Sequence, residues 1–309
     1  MMPSTPPPVY HIPVMGQEVC RYLVTRPEGV YVDCTFGGGG HSRLILERLS
    51  DQGLLIAIDK DSHAPAENLH DPRLMFIRGD FRYLVNYLDF LEIPSVDGVL
   101  ADLGVSSHQL DNPERGFSFR RTGPLDMRMS DRQEISARDL LAQVSPEELT
   151  EILREYGEIP QAKAVAARLI QYRSQSGLNT SQDVVNALAG MRLRGSEEKL
   201  LSCVFQALRI HLNSELDSLK SLLEQLPGLL NPGGRAVIIA YHSLEDRLIK
   251  HFFRTGNFED KAYKDAFGHI QRPLEPVTPQ ALKPSAEEIA HNPRSRSARL
   301  RVAEKPHKV

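Results

Sequence analysis

Short apolar runs alternate with helix-like stretches through the first third of the chain, the pattern of parallel βαβ units. "GVYVDCT" reads as a first strand, followed by a helix from near His41 with Leu44, Ile45 and Leu49 on one side. "LLIAID" reads as the second strand, stopping at Asp59, "LMFIRGD" as the third, stopping at Asp80, and "VDGVLADLG" as the fourth, stopping near Asp102. Each strand therefore delivers a carboxylate at or close to its C-terminal end, the edge at which open parallel sheets bind ligands.

After Leu110 the pattern changes. "DNPERGFSFRRTGPLDMRMS" has the glycine, proline and charge content of a long loop, and helical spacing takes over from Ser136 to Leu188. Ser145 is expected to cap one helix, with Pro146 at its first position and Glu148 at the capping-box position. "PQAKAVAARLIQYRS" and "SQDVVNALAG" follow as two more helices, and a long amphipathic pattern runs from about Glu197 to Leu230. Strand chemistry resumes only at "GGRAVIIAYHS". The expected organisation is one α/β domain, residues 1–109 and 216–309, split by a helical insertion at residues 110–215 that serves substrate recognition.

Composition places this pattern in an ordinary globular protein: 309 residues, 41% hydrophobic and 25% charged. No apolar run has membrane-spanning length, and the proline-rich start, uncharged until His11, is unlike a signal peptide. A cytoplasmic protein with a flexible start and no membrane partner is expected. Cys20, Cys34 and Cys203 are too scattered for a disulfide framework or zinc cluster and are expected to be reduced thiols. A net charge of −3 argues against indiscriminate nucleic-acid coating. The tail from His291 nevertheless holds Arg294, Arg296, Arg299, Arg301, Lys305 and Lys308 against the single acid Glu304. It fits either a solvated edge strand or a nucleic-acid contact.

The chemistry centres on "VDCTFGGGGHS" at residues 32–42. Glycines let a ligand approach the main chain closely, and the N–H groups opening the next helix favour an anionic group. A P-loop would need Lys and then Ser or Thr after the glycines, where His41 and Ser42 stand. A dinucleotide fingerprint begun at Gly37 or Gly38 would need glycine where Ser42 or Arg43 stands. S-adenosylmethionine fits better, because its contacts spread over several strand ends. The glycine turn admits the methionine half, Asp59 suits the ribose hydroxyls, and Asp80 with Phe81 offers an acceptor and an apolar face to adenine.

"HIPVM", "DCTFGGGGHS", "AIDKD", "DLGVSSHQLD", "ERGFSF", "GPLDMRM", "YGE", "FQALRIHLNSEL", "PGGR", "HSLEDR" and "NPRSRSARLR" stand in this order from His11 to about Glu304. In this the chain resembles the bacterial small-subunit ribosomal RNA cytosine methyltransferase family known as RsmH or MraW. The resemblance implies a class I, Rossmann-like methyltransferase sheet with a helical insertion, S-adenosylmethionine as cofactor, and methylation of the exocyclic amine of one cytidine in the decoding region of 16S ribosomal RNA. Carried over by position, the cofactor contacts fall on Gly39, Gly40, His41, Asp59, Phe81, Asp102 and Gln109. The implied partner is the small ribosomal subunit or a late assembly intermediate, and a homodimer stays open. The rival from another class is a non-catalytic assembly factor.

A cytosine amine is a poor nucleophile because its lone pair is delocalised into the ring. Acceptors after the fourth strand can draw the nitrogen toward tetrahedral geometry, and here "DLGVSS" offers Asp102, backbone carbonyls near Leu103 to Val105, and the hydroxyls of Ser106 and Ser107. His242, after the fifth strand, can take the departing proton, or His242 and Ser243 simply start a helix with Ser243 as cap and Asp246 three residues on. No metal site is expected, since His242 and Glu245 lack a third ligand at suitable spacing. For the RNA, Phe117 and Phe119 can stack on bases, or plug the junction of sheet and insertion. Arg120 and Arg128 can meet phosphate or base edges, with Asp126 fixing the Arg128 guanidinium in a fork. Ser243 completes the expected substrate set.

Overall fold

The apolar runs form a parallel sheet: β1 (Val30–Asp33), β2 (Leu54–Asp59), β3 (Leu74–Arg78), β4 (Val96–Asp102) and β5 (Leu230–Ala240). In the computed structural model, which describes residues 13–65 and 69–307, they join β6 (Glu275–Pro276) and β7 (Arg299–Glu304) in the order β3-β2-β1-β4-β5-β7-β6. Only β7 runs against its neighbours β5 and β6. A parallel sheet whose far side is closed by a reversed β7 between β5 and β6 is the expected class I methyltransferase sheet. The proline-rich start up to residue 12 and Lys308 lie outside the described residues.

Alternate residues of each strand feed two cores, as a sheet covered on both faces requires. Val32, Ile56, Val99 and Ile238 pack under the helices α3 (Leu84–Phe90), α10 (Glu215–Leu229) and α11 (Ser243–Thr255). Tyr31, Leu55, Leu100, Val237 and Leu300 face α1 (Gly16–Leu23) and α2 (Gly40–Leu46) on the other side.

The basic tail is not a solvated edge strand. β7 is hydrogen-bonded on both sides over its last residues, and its four central residues are buried. Arg301, only 9% exposed, donates Nε–H to Asp246 Oδ1 at 2.7 Å, while Arg299 donates Nη1–H to Oδ2 of the same carboxylate at 3.0 Å. Burial alone would raise the Asp246 carboxyl, but the two guanidiniums outweigh it and hold it below the ordinary range.

The chain folds as two compact units, Met1–Gly104 with Ser218–Val309, and Val105–Asp217. The second unit is somewhat wider at both ends than the expected insertion. It starts earlier because Val105 packs onto its own core, as does Leu110 of the short helix α4 (Ser107–Asp111). That core is built by α5 (Ala137–Gln143), α6 (Pro146–Glu155), α7 (Ala162–Ser176), α8 (Ser181–Ala187) and α9 (Glu197–Asn213). Ser145 caps α6 through the Glu148 N–H, as expected. The long amphipathic run is two helices, because Ser214 takes a left-handed conformation, φ 49°, between α9 and α10. With no glycine there, periodicity carries straight through the break.

Candidate cofactor and transfer site

The glycine tract turns on two positions with positive φ, Gly37 at 52° and Gly39 at 77°. A β-carbon on Gly39 would lie 2.9 Å from the Phe36 ring, whereas one on Gly38 would meet nothing within 4 Å. The loop is therefore packed beneath and open above, as close approach of a ligand to the main chain demands. Gly39 caps α2, which begins at Gly40.

The four strand-end acids do not play equivalent parts. Asp33 is paired in register with Ala57 and Leu100, two residues short of Asp59 and Asp102, so it sits a step deeper and is fully buried. It accepts the Ser42 hydroxyl at 2.6 Å and the Thr35 N–H at 3.1 Å, which ties both ends of the glycine loop to β1. Asp59 is half-buried; its Oδ2 accepts the Gly37 N–H at 2.6 Å and its Oδ1 the Asp61 N–H at 2.8 Å. Each oxygen keeps a second lone pair, the arrangement that accepts two vicinal hydroxyls. Burial pushes the Asp59 carboxyl up to about 6, against the pull of those two N–H groups.

Asp80 caps a short 3₁₀ turn (Phe81–Tyr83) through the Arg82 N–H. Its other oxygen faces Lys60 Nζ at 3.7 Å and Arg82 Nε at 3.5 Å, so it meets cations before any adenine amine. Phe81 beside it is half-buried and retains an exposed part for a ring.

Asp102 is linked to two side chains from other elements. Tyr241 donates its hydroxyl to Asp102 Oδ1 at 2.8 Å, and His41 Nδ1 lies 3.6 Å from Oδ2. The other ring nitrogen of His41, Nε2, is 2.9 Å from the Val14 carbonyl, which can only accept. The buried His41 ring thus braces the wall behind the glycine loop. Burial raises the Asp102 carboxyl above the ordinary range, offset in part by His41 and by the Tyr241 hydrogen bond. Tyr241 was not among the expected site residues. Its link to Asp102 depends on the pairing of β4 with β5, Asp102 opposite Ile239, which no local pattern reveals.

His242, rather than Ser243, caps α11. The Glu245 N–H points at His242 Nδ1 at 3.4 Å, and the Glu245 carboxylate takes the Tyr241 N–H at 2.9 Å in return. Nε2 lies 3.2 Å from Glu245 Oε1 yet makes no hydrogen bond among the described residues. The imidazole is only 8% exposed. Its Nδ1 faces the first turn of α11 and serves as the cap. Ser243 is exposed at the first helical position, and Asp246 belongs to the arginines of β7.

Within Val105–Asp217, Ser106 caps α4: its hydroxyl accepts the Gln109 N–H at 3.2 Å, and Gln109 Oε1 accepts the Ser106 N–H at 3.0 Å. One lone pair of the expected amine acceptor Ser106 is therefore used, and the buried Gln109 acts first as half of a capping box. Ser107 opens the helix, half-buried.

Phe117 is 7% exposed in the core of this unit, with the Arg115 guanidinium 5.8 Å from its ring centroid, so it is a plug rather than a stacking platform. Phe119 is half-buried and packs edge-on against Phe205. Arg120 is exposed and paired with Glu198 at 2.5 Å. Arg128 grips Asp126 in a fork, Nη2 to Oδ2 at 2.7 Å and Nε to Oδ1 at 3.0 Å, and donates Nη1–H to the Gln133 carbonyl at 2.9 Å. Burial alone would raise Asp126, but Arg128 holds it below the ordinary carboxylate range. The two residues line a small cavity together with Glu134, Ser136 and Arg138.

Known proteins match this sequence along most of its length. The sequence profile described as "MraW methylase family" matches residues 8–306. A protein of Parabacteroides distasonis called "Ribosomal RNA small subunit methyltransferase H" is 46% identical over 297 residues, 96% of this chain and 97% of the relative. Proteins of the same name from Amoebophilus asiaticus and Porphyromonas gingivalis are each 46% identical, covering 98% and 96% of this chain and 98% and 97% of their own length. A profile match from end to end, over a class I sheet whose glycine turn is held by the acid ending β2, makes this chain a member of the MraW methylase family.

Proposed function

We propose that the protein transfers a methyl group from S-adenosylmethionine to the N4 amine of a cytidine in 16S ribosomal RNA, in the decoding region of the small subunit or of a late assembly intermediate in the cytoplasm. The observation that carries this reading is Asp59, whose carboxylate holds the glycine turn through Gly37 while keeping lone pairs for a ribose. The cofactor, when bound, supplies an electrophilic methyl group on a sulfonium. Gly38 gives its methionine half access to the main chain, Asp59 takes the ribose hydroxyls, and Phe81 meets the adenine ring. Among the described residues no helix is long and apolar enough to cross a membrane.

Alignment of the amine with the methyl group does most of what the protein must do, since in-line positioning lowers a barrier by up to about 7–11 kcal/mol. Backbone carbonyls after β4, near Leu103 and Gly104, accept the amine hydrogens and aim its lone pair. The proton released after transfer goes to Asp102. Its carboxyl is raised by burial and held in place by Tyr241, whereas the His242 lone pair is spent on a cap.

Arg128 acts on the RNA through a base or sugar contact, its guanidinium oriented by Asp126. Arg128→Ala is expected to lower methyl transfer while leaving the S-adenosylmethionine Kd, measured by calorimetry, within about twofold, because the strand-end contacts do not involve it. A parallel loss of cofactor affinity would make the fork a prop of the fold instead.

The function is tested in a strain from which the gene has been deleted. Mass spectrometry of nucleosides from its 16S RNA is expected to lack one N4-methylated cytidine species that returns with the gene. Unchanged cytidine modification would sink the proposal.

A further inference from the structure

We propose that Arg294, Arg296 and Arg299 form a phosphate-binding patch that holds the RNA strand flanking the target cytidine, an inference that rests on the methyl-transfer reading above. The short 3₁₀ turn Pro293–Ser297 presents the first two. Its middle residue, Ser295, is fully buried; its hydroxyl and its N–H both donate to the Asn292 carbonyl, at 2.8 and 3.0 Å, and its own carbonyl accepts the Ala298 N–H at 2.8 Å. Pinning Ser295 inward leaves Arg294 and Arg296, on either side of it, exposed.

Arg299 continues the patch into β7. It pairs with Ala240, the last residue of β5, so it stands at the sheet edge where β2 and β4 deliver Asp59 and Asp102. Two guanidiniums share the one carboxylate of Asp246, which leaves an excess positive charge on the pair, and the Arg299 side chain is 51% exposed. No acid occurs in the chain from Ile289 to Ala303. The nearest before it are Glu288, which accepts the Met15 N–H at 2.7 Å, and Glu287, the exposed acid of α12 (Ala286–His291). A chain of net charge −3 thus gathers arginines on the edge that carries the cofactor residues. A local excess of this kind steers and holds a polyanion, and guanidinium forks match phosphate oxygens. The occupant is the RNA backbone, which must lie along this edge whenever a base is presented to the strand ends.

The test uses the full-length chain, a naked 16S RNA fragment spanning the decoding region, and small subunits from the deletion strain. Binding is measured across a salt series for the wild type, for Arg294→Gln/Arg296→Gln and for Arg294→Lys/Arg296→Lys. The glutamine pair is expected to bind the naked fragment roughly tenfold more weakly at moderate salt and to flatten the slope of log K against log salt by about 1.4–1.8, the loss of two phosphate contacts. The lysine pair is expected to keep most of the slope, and both variants to keep the wild-type S-adenosylmethionine Kd. An unchanged slope in a glutamine variant of normal cofactor affinity overturns the proposal. So does a loss confined to assembled subunits with naked RNA bound normally, which would assign the patch to an acidic protein. Failure of the wild type to label subunits from methyl-labelled cofactor would instead count against the methyl-transfer reading, while the slope on naked RNA still reads the patch by itself.

Discussion

Asp59→Ala is expected to weaken S-adenosylmethionine binding by about 1.5–3 kcal/mol, roughly ten- to a hundredfold in Kd, the range for hydrogen bonds to a charged group. The substitution removes the ribose acceptor and also releases Gly37 and Asp61, whose N–H groups the carboxylate holds at 2.6 and 2.8 Å. Calorimetry on the folded variant reads the effect, and an unchanged Kd would take Asp59 out of the site. The raised carboxyl adds a pH signature. Affinity is expected to be flat above neutrality and to fall as the pH drops through about 6, where Asp59 gains a proton. In the cofactor-free protein the sign is opposite. A folded pKa raised to about 6 means that this group favours folding below its unfolded value, near 4, and that the benefit is lost as pH rises through about 6. Raising the pH therefore strengthens cofactor binding while removing intrinsic stability from this residue.

Asp246→Ala is expected to destabilise the protein by about 3–5 kcal/mol, because it leaves the guanidinium of Arg301, 9% exposed, without its carboxylate in the interior. The Arg299 contact is lost with it, but that side chain reaches water and contributes little. The folded pKa of Asp246 is depressed, so the stability it confers is present above the unfolded value near 4 and disappears as pH falls through the folded one. Urea denaturation at neutral pH should show the full difference between wild type and variant, and the two should converge in acid. A neutral-pH difference below about 1 kcal/mol would mean that Arg301 finds water or another acceptor.

What could be read in advance was local. β2 spans Leu54–Asp59, the very run "LLIAID", and the Ser145 cap with Pro146 behind it marks the start of α6, because apolar runs and capping chemistry are set by neighbours in sequence. What escaped was set by partners far along the chain. β7 reads as a charged edge strand until its insertion between β5 and β6 buries Arg301 against Asp246, fifty-five residues away. Tyr241 has no signature of its own and acquires a role from Asp102 across the β4–β5 pairing. Two helices merge into one in the amphipathic pattern because a serine, not a glycine, makes the left-handed break at position 214. The α11 cap falls on His242 rather than Ser243, because the histidine Nδ1 accepts the Glu245 N–H in the place where a serine hydroxyl was expected. Phe117 was equally legible as platform or plug, and only the packing of the insertion core decided it.

The central claim is that this chain moves a methyl group from S-adenosylmethionine to a cytidine amine of 16S RNA. It is tested most directly by incubating the purified protein with methyl-labelled S-adenosylmethionine and small subunits from the deletion strain, then digesting the RNA to nucleosides. The label is expected in a single N4-methylated cytidine, absent when Asp59→Ala replaces the wild type at limiting cofactor. Label in a ribose, in another base, or nowhere while the protein still binds the subunits, would contradict it.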